Sequence, residues 1–339
     1  MKTKLDLSDV LNIPDLTSRL VDVNDQLVET LQIDNSNIIE PSKRLLRAGG
    51  KRLRPSLVIA CSMVEGRKVD HKTLKLAASV ELVHIGSLVH DDIIDRSKLR
   101  RKVATVNGQE GINHAIITGD YMLAKACQLA SSTDQTAGVI VARTITDMCD
   151  GESRELADKG NQSRSLEAYY KSIEGKTASL IAAACELGGY SASMSDIQIK
   201  ALGRYGHHFG LAFQMIDDLL DLLSTAELYG KPIGTDLTEG IYTLPILLGL
   251  QTTARGRIEQ HLKTNELEFL VKQLLKTKSI KRTIEYIEDN IRKSVKALEI
   301  FNGPVAEALS QLPAYYLNWV INNQIANQYK ASFLKMQKV

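Results

Sequence analysis

The chain has 339 residues, 44% hydrophobic side chains and a formal net charge of +2. This length fits one large or two ordinary domains. The nearly balanced charge, without Lys/Arg blocks interleaved with aromatics, argues against a nucleic-acid-binding protein. No apolar run approaches the roughly 18 residues that span a bilayer, and no charged-then-apolar leader is present. We therefore predict a cytoplasmic protein without a transmembrane segment.

Proline placement predicts an all-α protein. Residues 56–231 contain no proline, although Pro55 and Pro232 flank them, and no alternating β-branched runs appear at strand spacing. We expect one helical domain over residues 1–339. Four widely spaced cysteines without metal-ligand spacing lie in apolar contexts, which indicates reduced, buried thiols: Cys61, Cys127, Cys149 and Cys185.

A glycine pair followed by cations is the first chemical feature along the chain. Gly49 and Gly50 precede Lys51, Arg52 and Arg54. Exposed backbone N–H groups beside guanidinium and ammonium donors suit a diphosphate. The alternative is a basic loop before a proline-led helix, and this stretch alone does not exclude it.

The next helix is apolar and ends in carboxylates. Residues 82–94 form a broad apolar surface at helical spacing. Asp91 and Asp95 are four residues apart and Asp92 and Asp95 are three apart, so all three project from one face. Anions near a helix C-terminus oppose the macrodipole. We therefore expect cations among them, although a solvated acidic helix end is the alternative.

Several further helices are expected after this cluster. Arg100 and Arg101 follow it directly and suit either ion pairing or the neutralisation of a substrate phosphate. The pattern indicates helices over residues 120–130, 135–158 and 163–190. The last carries Lys176, and a lone lysine before an apolar helical stretch is usually a surface residue.

A second acidic cluster repeats the first. Asp217, Asp218 and Asp221 lie near the end of an apolar helix predicted from Leu202 to Leu223. Six hard oxygen ligands on two helices suit Mg²⁺, which prefers a few carboxylates together with substrate phosphates. The pair of clusters predicts a metal–diphosphate clamp.

A loop follows the second cluster. Residues 229–240 are rich in turn residues around Lys231 and Pro232, and such a loop can close over a site as a lid. Residues 255–298 read as outer helices with solvated faces, and a terminal helix is expected from Tyr315 to Met336.

Taken together, these residues resemble the trans-isoprenyl diphosphate synthases of the polyprenyl synthetase family. The resemblance covers residues 49–248. It rests on Gly-Lys-Arg-Leu-Arg-Pro, His-Asp-Asp-Ile-Ile-Asp, Lys-Thr-Ala, Phe-Gln-Met-Ile-Asp-Asp-Leu-Leu-Asp, and Gly-Lys-Pro before Thr-Leu-Pro, in that order. It implies one bundle of long antiparallel helices around a deep central cavity, in a homodimer.

The resemblance also implies a role for each site residue. The six aspartates would hold Mg²⁺ on an allylic diphosphate and, with Lys176, serve catalysis. The same diphosphate would contact Arg100, Lys176, Thr177, Gln214 and Lys231. Isopentenyl diphosphate would contact Gly50, Lys51, Arg54, His84 and Arg101.

Three positions depart from the family pattern. Glu155 stands where a Gly-Glu motif usually ends in glutamine, which adds an acid near the allylic diphosphate. Lys102 replaces a usual glycine, and Ile241 replaces a common lysine. The last change also occurs in catalytic subunits of two-component synthases, so the need for a small partner subunit stays open.

The expected reaction is Mg²⁺-dependent condensation of isopentenyl diphosphate with an allylic diphosphate, either farnesyl or geranylgeranyl. A class I terpene cyclase is one alternative, but a cyclase needs no second diphosphate site. A subunit of a heteromeric synthase is the other. A purely regulatory subunit would be expected to lose the aspartate clusters, and both are whole here.

Product length is expected to depend on residues before Asp91. Gly86 and Ser87 precede it by five and four residues, and Val83 lies one turn further. Small residues there would leave the path of the growing chain open and permit products of C20 or longer. Alternatively, Gly86 only lets a neighbouring helix approach, and bulk elsewhere, such as Met122, closes the path.

Overall fold

A computed structural model describes residues 8–11, 13, 15–32, 36–47, 49–50, 52–100, 103–230 and 232–330. The helices before the first cluster's end are α1 Ser8–Leu11, α2 Leu16–Thr30, α3 Ser36–Arg47, α4 Leu53–Met63 and α5 His71–Ile94. A hairpin of two short strands follows: β1 Leu99–Arg100 is antiparallel to β2 Val103–Ala104.

The middle of the chain contains the longest helices. They are α6 Val106–Gln109, α7 Ile112–Ser131, α8 Gln135–Ala157, α9 Leu166–Ile173, a π turn Glu174–Ala178, α10 Ser179–Ser191 and α11 Asp196–Leu223. The remainder is α12 Ala226–Tyr229, α13 Thr235–Glu239, α14 Leu244–Leu250, α15 Arg255–Thr264, α16 Leu267–Lys276, α17 Ser279–Ala297 and α18 Pro304–Asn323.

The all-α prediction is confirmed. α5 packs against α2, α4, α7 and α10, while α10 also contacts α8 and α11. The middle of α5 is buried on every face from Leu76 to Val83, because neighbours surround it. Within the described residues, no helix is both long and apolar enough to cross a membrane. The central cavity and the single domain over residues 1–339 stay predictions.

Local sequence sets the ends of the two helices that carry the clusters. The Asp70 side chain accepts from the Thr73 N–H at 2.8 Å and begins α5. α5 ends at Ile94, where Arg96 adopts a left-handed φ of 52°. Ser195 and Gln198 form a capping box at the start of α11. These signals fix where α5 begins and ends and where α11 begins. The aspartate clusters lie in the C-terminal turns of the two helices.

Several predicted boundaries were wrong. α7 begins at Ile112, eight residues before the predicted start, because Ala115, Thr118 and Gly119 extend its buried face through the first turns. The predicted helix over 163–190 is interrupted by the π turn, and α18 begins at Pro304. The predicted loop at 229–240 begins at the last residue of α12 and contains one short helix, α13. Cys149 is exposed and Cys127 half-buried, so buried thiols describe only the other two cysteines.

Two glycines bring α8 and the π turn into backbone contact. A Cβ at Gly151 would lie 2.2 Å from the backbone nitrogen of Lys176, and one at Gly175 would lie 2.4 Å from the carbonyl oxygen of Asp147. No larger residue fits there without moving a helix. This contact places Lys176 against the carboxylates of α8.

Gly151→Ala should therefore destabilise the fold. Overpacking of this kind costs about 1–3 kcal/mol, to be measured as the free energy of unfolding in urea. Gly203→Ala is the matched control, because its nearest neighbour would be 4.0 Å away. There, loss of backbone freedom in the unfolded chain should stabilise α11 by roughly 0.5–1 kcal/mol. Equal stability of the two variants would contradict the close contact.

Candidate active site

The first carboxylate cluster, Asp91, Asp92 and Asp95, lies at the end of α5. Asp92 is buried, Asp91 is half-buried and Asp95 is exposed. The hairpin brings Arg100 back to this end of the helix. Its Nε and Nη2 both donate to Oδ1 of Asp92 at 2.9 Å. The cation expected beside the cluster is therefore present.

Asp91 lies in a strongly anionic setting. Burial raises the pKa of its carboxyl group to about 7. The cations of Lys176 and Arg100 oppose that shift, while Glu152 and Asp95 add to it. Among the described residues, the Asp91 carboxyl group thus has both acidic and basic neighbours, and burial decides the direction of its pKa shift.

The second cluster is more deeply buried. Asp218 and Asp221 are each 3% exposed, and Asp217 is half-buried. Tyr169 donates its hydroxyl to Oδ2 of Asp218 at 2.6 Å, and Gln214 donates its amide to Oδ1 at 2.9 Å. Burial raises the pKa of Asp218 to about 7, although both hydrogen bonds oppose the shift.

Asp221 fastens the following segment to this cluster. Its two carboxylate oxygens accept from the backbone N–H groups of Thr235 and Asp236, each at 3.2 Å. Tyr229 donates its hydroxyl to Oδ1 of Asp217 at 2.7 Å. Burial and then the charge of Asp221 raise the pKa of Asp236 well above its ordinary value. The predicted lid is thus hydrogen-bonded to the aspartates.

Lys176 occupies the space between α8 and α11. Its ammonium lies 2.8 Å from Glu152 and also pairs closely with Glu155. Burial lowers the pKa of Lys176, but the two carboxylates outweigh burial and raise it overall. The adjoining Thr177 donates to the side chain of Gln214 at 2.6 Å. Lys176 is therefore a half-buried lysine held by two carboxylates, not a solvated surface residue without partners.

Both clusters act on the same region. The charge of Lys176 lowers the pKa of Asp91 and of Asp95. Glu155, paired with that lysine, raises the pKa of Asp218. Lys176 and Glu155, which pair with each other, therefore lie within electrostatic range of both clusters.

Predicted residues for the second diphosphate lie at the start of α4 and along α5. Arg52 and Glu81 form a buried ion pair beside them. Burial lowers the pKa of Arg54 to about 10, and its buried Nε has no hydrogen-bond partner among the described residues. Gly50 is exposed and His84 is half-buried. An anion would satisfy the Arg54 donor.

Four predicted cations cannot be placed by the structure. Lys51, Arg101, Lys231 and Lys102 lie outside the described residues. Ile241 is described: it is half-buried, and its N–H donates to the carbonyl of Asp236 at 2.7 Å.

Comparison with known families decides the class of this protein. The family model of the polyprenyl synthetases matches residues 35–277. The chain belongs to the polyprenyl synthetase family.

Its relatives in this family are prenyl diphosphate synthases, so the chain is a transferase of that class. It is 35% identical to heptaprenyl diphosphate synthase component 2 of Bacillus subtilis over 85% of this chain and 84% of the relative. It is 37% identical to the nonaprenyl diphosphate synthase of Mycobacterium tuberculosis over 67% of this chain and 68% of the relative.

A solved polyprenyl synthase from Caulobacter crescentus superposes with a TM-score of 0.82. It is 30% identical and covers 89% of this chain and 94% of its own; that structure was determined with calcium and isoprenyl diphosphate. The fold class is thus that of the isoprenoid synthases.

The carboxylates of this polyprenyl synthetase fit the metal that the family implies. Within the described ranges, no group of three or more acidic, histidine or cysteine side chains is arranged around one point. Mg²⁺ is usually held by one or two carboxylates with substrate phosphates and water, and needs no such cage. The donors are hard oxygens, and burial raises the pKa of the Asp91 and Asp218 carboxyl groups to about 7, so a cation beside them would favour their charged form.

The chain-length residues divide into packing and accessible positions. A Cβ at Gly86 would lie 3.2 Å from side-chain atoms of Leu123 and Met122, so Gly86 lets α7 approach α5. This contact favours the alternative given above for Gly86. Val83 is 1% exposed, whereas Ser87 is half-buried. Their effect on product length stays a prediction.

The sequence patterns did not indicate three site residues. Tyr169, Tyr229 and Asp236 contact or influence the second cluster, but only the fold brings them there. A hydroxyl donor needs no fixed spacing from its acceptor, so no local signal could have identified the two tyrosines.

Asp91→Asn should reduce the loss of stability with rising pH in metal-free protein. The folded-state pKa of Asp91 is about 7 against an ordinary 3.8. The stability that the raised pKa of Asp91 contributes is therefore fully present below pH 3.8, and it is lost as the pH rises to about 7. In EDTA, the free energy of unfolding of the variant, relative to that of the native chain, should rise by up to about 1.4 kcal/mol per pH unit between pH 3.8 and about 7.

Urea denaturation at several pH values measures this difference. Asp150→Asn is the control, since Asp150 is on the outer side of α8, 60% exposed and paired with Arg154. Parallel pH profiles for Asp91→Asn and the native chain would contradict the raised pKa.

Proposed function

We propose that this protein condenses isopentenyl diphosphate with an allylic diphosphate to form all-trans prenyl diphosphates of C20 or longer. The observation that carries the proposal is the Lys176–Glu155 pair, which lies within electrostatic range of both aspartate clusters. The family assignment supports the reaction class, and relatives named for heptaprenyl and nonaprenyl products support long chains.

The proposed chemistry requires neutralisation of a leaving diphosphate. The allylic C–O bond breaks, the double bond of isopentenyl diphosphate forms the new C–C bond, and a proton leaves to the departing diphosphate. Mg²⁺, when bound, supplies positive charge to that leaving group. Asp91, Asp95 and Asp217 would hold it, with Asp92, Asp218 and Asp221 completing the two clusters; hydrogen bonds fix the side chains of these three.

The chain's own cations complete the proposed diphosphate sites. Lys176 and Arg100 would bind the allylic diphosphate, assisted by Thr177, Gln214 and Lys231. Arg54 and His84 would bind isopentenyl diphosphate, with Gly50, Lys51 and Arg101. Donors fixed by folding before the reaction stabilise developing charge better than mobile water does.

Two alternatives are separated by one experiment. Purified protein is given Mg²⁺, farnesyl diphosphate and isopentenyl diphosphate, and products are identified by mass spectrometry. The proposal predicts prenyl diphosphates of C20 or longer, formed only when both substrates are present. A cyclase would convert farnesyl diphosphate alone to a hydrocarbon. Product formed only after addition of a cell extract would indicate a partner subunit, as the word "component" in the Bacillus relative's name suggests.

We also propose a homodimer. Ile112, Ile116 and Ile117, all in the first turns of α7, are 57%, 44% and 52% exposed. Three exposed apolar side chains at one end of a helix favour a second protein surface. Because every copy carries them, an isologous contact would cover both sets. Light scattering of the purified chain should give twice the monomer mass; a monomer would contradict the proposal.

Asp95→Asn and Asp217→Asn should each lower turnover by roughly a hundredfold or more. Each removes a carboxylate facing the shared space while conserving side-chain size. Circular dichroism should confirm the fold, and Mg²⁺ titration should reveal weaker binding. Asp150→Asn again serves as the control. Near-native turnover in either cluster variant, with Mg²⁺ binding unchanged, would remove the basis for the metal clamp.

Ser87→Phe should shorten the main product. Ser87 is half-buried four residues before Asp91, and its hydroxyl only donates back to the His84 carbonyl at 2.9 Å. Gly86 is the poorer test position, because a side chain there would press on α7. Ser87→Ala should keep the native product. An active Ser87→Phe enzyme with unchanged product length would place the growing chain elsewhere.

A further inference from the structure

One ammonium group in the site is paired with two carboxylates. Lys176 contacts Glu152 on one side and Glu155 on the other, both from α8. The side chains of the glutamates are 18% and 10% exposed. Among the described residues, Lys176 is the one cation within ion-pair distance of Glu155. The local triad therefore carries a net charge of −1.

The negative charge of Glu155 also disfavours ionisation of carboxyl groups at the second cluster. Its charge raises the pKa of Asp218 and of Asp236, which lie on α11 and α13. The space around Lys176 is thus already anionic before any diphosphate enters. A diphosphate without a divalent cation would have to displace a buried carboxylate from Lys176 and then remain beside it.

We propose that Glu155 is a positioning residue that withholds Lys176 from diphosphate until a divalent cation is bound. The proposal rests on the proposed role of Lys176 at the allylic diphosphate. In this arrangement the lysine charge is already used by Glu155, so metal-free diphosphate binds weakly. A bound cation compensates the carboxylates, and Lys176 can then turn part of its donor capacity toward the phosphate oxygens.

The direct test is calorimetric titration of inorganic diphosphate into the full chain in EDTA. Glu155→Gln keeps the side-chain size and removes the charge. It should tighten metal-free diphosphate binding on the order of tenfold, the size of one charge-assisted hydrogen bond. The further gain in diphosphate affinity on addition of Mg²⁺ should be smaller in this variant than in the native chain. Asp150→Asn removes the same charge from the outer side of α8 and should leave binding unchanged.

A double variant separates positioning from general charge reduction. In Glu155→Gln/Lys176→Met the gain in metal-free binding should vanish, because Lys176 supplies it. A gain that persists in the double variant overturns the proposal. So does unchanged or weaker diphosphate binding in a folded Glu155→Gln protein, since Glu155 would then merely orient Lys176 or serve the fold.

Two further measurements cover the cases in which Glu155→Gln does not fold or the proposed function itself is wrong. If Glu155→Gln does not fold, Glu155→Asp withdraws the carboxylate by one methylene and should give a smaller tightening; no tightening overturns the proposal. Prenyl product formation by the native chain is measured separately. A native chain that makes product while Glu155→Gln leaves binding unchanged refutes this inference alone. A native chain that makes none challenges the proposed function instead.

Discussion

The concentration of carboxylates around one half-buried lysine, Lys176, is the constraint on which the site depends. An ionised carboxylate that leaves water without compensation is costly. The site nevertheless brings the ends of α5 and α11 together with two glutamates of α8. Within the part of the chain that the structure describes, Arg100 pairs with Asp92 and Lys176 with the two glutamates. The proposed divalent cation would add positive charge to this group of carboxylates.

Helix packing supplies the precision that this arrangement needs. Gly151 and Gly175 permit backbone contact between α8 and the π turn, and the turn carries Lys176 toward the glutamates. Thr177, Gln214 and Asp218 continue the connection by hydrogen bonds into α11. π turns often occur at functional sites. Here the turn joins an all-helical core to a polar centre without interrupting the packing on either side.

Much of this could be predicted from spacing along the chain. Aspartates three and four residues apart on apolar helices predicted both clusters and their common face. The lysine could not be placed, because its partners lie on another helix and meet it only through glycine contacts. The spacing predicted Asp221 as a metal ligand, which stays a prediction, but could not show that its oxygens also accept two backbone N–H groups of the following segment. Gly86 was read as open space, and the tertiary contact with α7 occupies it.

The central claim is that both carboxylate clusters hold one cation–diphosphate assembly together with Lys176. Crystals grown with Mn²⁺ and an unreactive thiolo analogue of farnesyl diphosphate would test it most directly by anomalous diffraction. The account predicts Mn²⁺ peaks beside Asp91 and Asp95 and beside Asp217, with the diphosphate between them and Lys176 in contact with it. Mn²⁺ bound at only one cluster, or a diphosphate bound outside the space between them, would contradict the account.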